Sequence, residues 1–299
     1  MRNKNFSNLC STFKSLNRHK TSLLYKTKYC AYPPPSLNKQ TRQHKVVVSL
    51  TTHGLRINNV DLTIRSLFEQ TYKPDVIVLN LDHAEFNSDN IPQTLKRLEK
   101  YGLKIQYTEN FLSYNKLIPT LISHPNDCII TVDDDVIYPH YLLKRLIDAY
   151  SEQPSFIHGF RGYRITNKSQ NINPYRKWVK CVHGNSGKDI MLTGVAGILY
   201  WPGCLHADIA REDLFMSLAP TSDDIWLKAM SLLNDVPCSC IGYPGQFKND
   251  FHYTANANIQ PLNHVNNGRG NNDQAVQNLL NHYPDLAQKI NDVTLVNSQ

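Results

Sequence analysis

The first 45 residues contain no aspartate or glutamate, yet they hold ten of the chain's 32 lysines and arginines. The other 254 residues carry 22 basic against 25 acidic side chains. The formal charge of +7 therefore belongs to an N-terminal arm, and the body is close to neutral. A near-neutral body lacks the broad basic surface that a nucleic acid requires, so no nucleic-acid partner is expected. No apolar run approaches the ~20 residues needed to cross a bilayer. The N-terminus lacks the apolar core of a secretory signal. The seven cysteines are scattered. The tightest spacing, Cys238-x-Cys240, is not part of a CxxC or Cys/His framework that would hold zinc. Free thiols fit a reducing compartment, and a cytoplasmic location is expected. No Gly/Ser-rich linker or internal repeat divides the chain, and 41% hydrophobic content suffices for one large core.

Residues 1–44 read as a basic arm ahead of a single domain over 45–299. Phe6, Leu9, Phe13 and Leu16 recur at helical spacing, with Lys4, Lys14, Arg18 and Lys20 among them. Such a stretch is either a basic amphipathic helix on an anionic membrane surface or a solvated tail. On the membrane reading the arm serves location, and its removal spares turnover of a soluble substrate. Pro33-Pro34-Pro35 stiffens the chain and marks the boundary.

The body alternates strands and helices. Val46–Thr51 is a near-continuous apolar run, as in a parallel strand covered on both faces. A helix to about Gln70 follows, with Val60, Ile64, Leu67 and Phe68 inward. Strands near 75–81 and 103–107 flank a helix over 92–100, and a short helix is expected around Pro119. Cys128–Val132 is a fourth strand, and Leu142, Leu143, Leu146, Ile147 and Tyr150 share the apolar face of the helix after it. The order implies right-handed crossovers and an α/β fold with a mostly parallel sheet. Later strands are expected near 155–160, 194–200 and 236–241. Residues 161–190, with Arg161, Arg164, Tyr175, Arg176 and Trp178, read as a mobile loop. Helices are expected over 221–233 and 271–283.

Three carboxylates, Asp133, Asp134 and Asp135, follow the fourth strand at once. Like charges packed so tightly repel, and a cation is the simplest thing that holds them together. In open α/β sheets ligands bind at the carboxyl ends of strands, where this triplet sits. A second acidic pair, Asp223-Asp224, opens a later helix.

Val46–Thr52, Ser66–Pro74, the Asp133–Asp135 triplet and Asp223-Asp224 together resemble a family 2-like glycosyltransferase with the GT-A fold. Tyr114–Pro119, Thr131–Pro139, Thr193–Pro202 and Ala219–Met230 resemble more closely a bacterial subgroup linked to capsule and lipopolysaccharide assembly. The resemblance spans about residues 45–283. It implies transfer of a sugar from a nucleotide-diphosphate donor, most simply a UDP-sugar, to a hydroxyl of a glycan or lipid-linked glycan at the inner membrane face.

That chemistry assigns expected roles. A diphosphate leaving group needs positive charge, which Mn2+ or Mg2+ supplies through oxygen ligands. Asp133 and Asp135 are the expected metal ligands, with Asp133 or Asp134 alternatively on the ribose. A weakly nucleophilic acceptor hydroxyl needs a base. Asp224 is the candidate, with Asp223 as helper, and a single displacement would invert the anomeric centre. Thr51 and Asp82 should meet the nucleotide's base and ribose, and Arg56 and Lys116 the diphosphate or base. Gly194 and Gly197 would admit close backbone approach to a sugar, Trp226 stacks on a sugar or fills the core, and His252 and His264 are candidate further ligands. Two rival readings are a haloacid dehalogenase-type phosphotransferase, with Asp133 as nucleophile, and a non-catalytic carbohydrate- or nucleotide-binding protein on the same scaffold.

Overall fold

The computed structural model describes residues 18–29, 31–168, 171–255, 257 and 270–296. The Phe6–Leu16 stretch and His264 lie outside the described residues.

Strands β1 (Val46–Thr51), β2 (Val76–Asp82), β3 (Leu103–Thr108) and β4 (Cys128–Thr131) run parallel in the order β4-β1-β2-β3. The short β5 (Val136–Ile137) stands outside this sheet. Beyond β4 the sheet continues through β6 (Ile157–Gly159) and, from later in the chain, β11 (Asn185–Gly187), β13 (Ile198–Tyr200) and β14 (Cys238–Cys240). Its full order is β11-β14-β6-β13-β4-β1-β2-β3, with β13 antiparallel to both neighbours. The fold is a mixed α/β architecture with a large, mostly parallel sheet between helices.

Alternation along β1 sorts its side chains between two cores. Val46, Val48 and Leu50 enter one, with Leu67 and Phe68 of helix α2 (Val60–Phe68) and Leu142 and Leu146 of helix α5 (Leu142–Glu152). The opposite face packs helix α4 (Ile118–Ser123) and helix α7 (Asp223–Leu233), whose Trp226 has no exposed surface. On that face Ser49, Asn80 and Thr120 are all buried and bonded to one another. Ser49 Oγ lies 2.6 Å from Thr120 Oγ1, to which Asn80 Nδ2 donates at 2.9 Å.

The described residues of 161–190 are ordered largely into short strands, not a loop. β7 (Gly162–Arg164), β10 (Val179–Lys180) and β12 (Ile190–Leu192) form an antiparallel sheet, and β8 (Asn167–Lys168) pairs with β9 (Asn171–Ile172). The C-terminal region holds the expected helix, Asn271–His282, and a second, Asp285–Val296, that burial of Leu286 and Ile290 fastens to the body.

The described part of the arm, from residue 18 on, also differs from a solvated tail. Residues 18–29 are helical (α1), with Ser22 and Tyr29 buried. Tyr29 packs on Leu62 and Ile137, and Lys28 Nζ lies 2.7 Å from Glu69 Oε2. Downstream, Arg42 Nη1 lies 2.8 Å from Asp75 Oδ2, which also accepts from Val46 N at 2.7 Å.

Residues 63–71 form a rack beneath the acidic turn. Thr63 Oγ1 donates to Asp134 O at 2.9 Å, and Ser66 Oγ accepts from Tyr138 N at 3.0 Å. Gln70 has no exposed surface. Its Nε2 donates to Ser66 O at 3.0 Å and Pro139 O at 2.9 Å, and its Oε1 accepts from Leu143 N at 3.0 Å. Gln70→Ala strands a buried carbonyl and amide at the start of α5. It should lower stability by ~2–4 kcal/mol, read as an earlier midpoint in urea.

Candidate active site

A cleft of about 820 Å³ opens at the carboxyl ends of β1, β2 and β4. Thr51, Arg56, Asp82, Lys116, Asp133, Asp134, Asp135, Asp223 and Asp224 all line it. Every side chain singled out for the site from the acidic motifs and strand ends therefore reaches one cavity.

The two acidic motifs meet at Lys116. Its Nζ lies 2.8 Å from Asp223 Oδ2 and 3.6 Å from Asp133 Oδ1. Tyr114 places this lysine, because its ring stacks on Phe215 and its hydroxyl donates to Ala219 O at 2.6 Å, just before α7. Burial alone would lower the Lys116 ammonium, but Asp223, Asp133 and Asp224 outweigh it and hold it well above its ordinary value.

Asp224 has a different environment from its neighbour. It is half-buried, and its Oδ1 accepts from Gly194 N at 3.3 Å. Burial, then repulsion from Asp223, pushes its carboxyl up to about 7 against a smaller opposing pull from Lys116. A Cβ on Gly194 would stand 2.7 Å from Lys116 Nζ, so the ammonium occupies the space a side chain would need. Gly197 has another reason for its identity. Its φ is +89°, and its open side faces Leu142 and Leu146 of α5, not the cleft.

Within the triplet the carboxylates diverge. Asp134 turns inward, accepting from Thr52 Oγ1 at 2.5 Å and pairing with Arg56 Nη2 at 2.6 Å. The same Nη2 lies 2.6 Å from Asp135 Oδ2. Arg56 Nε is buried and has no acceptor among the described residues. Burial, then repulsion from Asp134 and Asp133, raises Asp135 to about 7 even against the pull of Arg56. Tyr138, not singled out from the sequence, braces the turn: its hydroxyl accepts from Asp133 N at 2.9 Å and donates to Val195 O at 3.1 Å.

Among the described residues no three His, Cys, Asp or Glu side chains are grouped to hold a metal by themselves. The chemistry of Asp133 and Asp135 still fits a hard divalent cation. Both offer oxygen and both line the cleft, and two carboxylates with phosphate oxygens suffice for Mg2+.

The other expected residues divide. Thr51 Oγ1 donates to Asn80 O at 2.8 Å, and Asp82 accepts from Ala84 N and Asn110 Nδ2, both at 2.8 Å. Trp226 is a core residue whose Nε1 donates to Ile209 O at 3.1 Å. His252 packs its ring against Tyr25 of α1. The far wall comes from the excursion that reads as a loop. Arg161, Tyr163 and Tyr175 line the cleft, with Arg161 Nη2 donating to Tyr163 Oη at 3.2 Å and the two tyrosine rings 5.5 Å apart.

No family model and no curated protein sequence matches the chain. Among solved structures, S. aureus TarS 1–349 matches at 13% identity and a TM-score of 0.50, covering 82% of this chain and 70% of that one. A Pyrobaculum calidifontis mannosyltransferase, PcManGT, in complex with GDP-Man and Mn2+ matches at 14% identity and a TM-score of 0.33. That match covers 51% of this chain, which spans only 44% of the mannosyltransferase. A 4-diphosphocytidyl-2C-methyl-D-erythritol synthase matches at 12% identity and a TM-score of 0.37, over 56% of this chain and 80% of its own. The likeness to TarS establishes the fold alone, a GT-A fold.

Asp135 and Asp224 titrate about 7 when folded, against 3.8 ordinarily. Between about pH 4 and 7 the folded chain holds protons that the unfolded chain has released, so stability falls as pH rises. Thermal melts of metal-free protein should show Tm dropping from pH 5 to 7.5. Asp224→Asn should flatten that slope.

Proposed function

We propose that this chain is a metal-dependent, inverting glycosyltransferase that moves a sugar from a nucleoside diphosphate to a glycan hydroxyl. The convergence of two acidic motifs on Lys116, with Asp224 pushed up to about 7, supports this reading most. A general base is most effective when its pKa lies near working pH.

Asp133 and Asp135 would hold Mn2+ or Mg2+, which when bound neutralises charge gathering on the diphosphate. Thr51 and Asp82 flank the nucleoside end, with a uridine carrier favoured by the motif resemblance. Arg56, which lines the cleft, would meet the diphosphate or base. Asp224 removes the acceptor's proton. The acceptor oxygen then bonds to the anomeric carbon as the bond to the diphosphate oxygen breaks on the opposite face, which inverts the centre. Asp223, paired with Lys116, helps raise Asp224 and so keeps it basic. Tyr163 and Tyr175 offer rings on which an acceptor sugar can stack.

The acceptor is a lipid-linked or lipopolysaccharide-type glycan on this reading. No helix among the described residues is long and apolar enough to cross a membrane. The outward face of α1 exposes Leu23 and Leu24 beside Lys20, suited to peripheral contact with anionic lipid. Pelleting with phosphatidylglycerol vesicles, diminished in Leu23→Ser/Leu24→Ser, tests that contact.

With Mn2+ and its own donor the protein should slowly release nucleoside diphosphate even without acceptor. Asp135→Asn should abolish metal-dependent donor binding. Asp224→Asn should keep donor binding and lose transfer by ~100- to 10,000-fold; normal transfer by that variant removes the base assignment. Release of inorganic phosphate from small phosphoesters, without nucleotide-sugar turnover, would favour the phosphotransferase instead. Donor binding with no turnover would favour a binding protein.

A further inference from the structure

The basic arm returns to the cleft. Four residues of α1, Arg18, Ser22, Tyr25 and Tyr29, are spaced to share one helical face. That face lies against β15 (His252–Tyr253), which pairs antiparallel with β5. Ser22 Oγ accepts from Ala255 N at 2.9 Å, Tyr25 packs on His252, and Tyr29 reaches Ile137. One residue before Ala255, Thr254 N donates to Asp135 O at 2.8 Å. The helix is thus fastened to the same short ribbon that carries the carboxylate triplet. Arg18 stands at its cleft end, its guanidinium carbon 5.0 Å from the centroid of the Tyr253 ring, and lines the cavity with Asp133 and Asp135.

The charges around it give this placement a use. Arg56 is engaged by Asp134 and Asp135, and Lys116 by Asp223 and Asp133. A diphosphate entering beside these acids gains from a further cation at the same end. The Tyr253 contact holds the Arg18 guanidinium over an aromatic ring at the cavity wall, a cation–π pairing. A guanidinium carries a fork of N–H donors that matches phosphate oxygens.

We propose that Arg18, delivered by the N-terminal helix, is a donor-binding residue that contacts the nucleoside diphosphate at the Asp135 end of the cleft. This rests on the glycosyltransferase reading and assigns the arm a part in the reaction, where the sequence alone suggests a part in location. Loss of residues 1–29 then impairs use of a soluble acceptor too.

Calorimetric titration of the full chain with UDP, GDP, CDP and dTDP, each with Mn2+, tests it. The wild type should bind at least one. Arg18→Ala should weaken that nucleotide about 10-fold or more, and Arg18→Lys should recover part of the loss. The gap should narrow at high salt, as a screened charge contact does. In turnover the loss should sit in donor KM more than in kcat. Equal Kd for Arg18→Ala and wild type overturns the donor role and leaves the glycosyltransferase reading standing. A gap that persists undiminished at 1 M salt overturns it as well, since it then reflects packing. A wild type that binds none of the four nucleotides overturns both readings.

Discussion

One buried ammonium fixes the geometry of the cleft. Lys116 is 8% exposed, and a charge so placed persists only where it is paired. Its partners come from separate elements: Asp133 follows β4, and Asp223 begins α7. Without the lysine these acids would repel across a half-buried space. With it, the turn after β4 and the start of α7 share a counter-charge, and the distance between them is set. Asp224 is the carboxylate left over from this pairing, which is why burial can move it so far. Gly194 belongs to the same arrangement, because any side chain there would meet the ammonium.

The sheet explains why the cleft lies where it does. β4 stands between β1, to which it is parallel, and β13, to which it is antiparallel. The triplet therefore emerges where the strand direction changes, a boundary that leaves a crevice at the carboxyl edge. To one side, β1 and β2 bring up Thr51 and Asp82. To the other, the β7·β10·β12 sheet contributes Tyr163, with Tyr175 beside it, and α7 contributes its acids.

The parallel half of the fold was legible because its strands are long enough to show a near-continuous apolar run, as in Val46–Thr51, or apolar–polar alternation, as in Leu103–Thr108. The excursion after β6 was not. Its strands are two or three residues long and, apart from the apolar Ile190–Leu192, mostly polar, and they exist through pairing with distant partners such as Arg164 with Ile190. The helix Asp285–Val296 escaped because Leu286 and Ile290 alone mark its buried side among the residues whose side chains are described there. The acids of the site were legible from clustering, whereas their division of labour depended on neighbours. Nothing in the run of three aspartates distinguishes Asp134, which Thr52 and Arg56 hold inward, from the two beside it. Arg18 had a readable signal in the spacing of Ser22, Tyr25 and Tyr29. The apolar repeat at Phe6–Leu16 drew the sequence reading to the opposite end of the arm.

The rack beneath the acidic turn has a kinetic meaning. Thr63, Ser66 and Gln70 grip the backbone of residues 134–143 from below, and Tyr138 ties Asp133 N to Val195 O from the side. The carboxylates above can therefore exchange one cationic partner for another by rotating side chains while the main chain stays still. On the proposed reading, a turn braced in this way would have little reorganisation energy to supply each time a ligand arrives or leaves, so repeated cycles would not be slowed by rebuilding it.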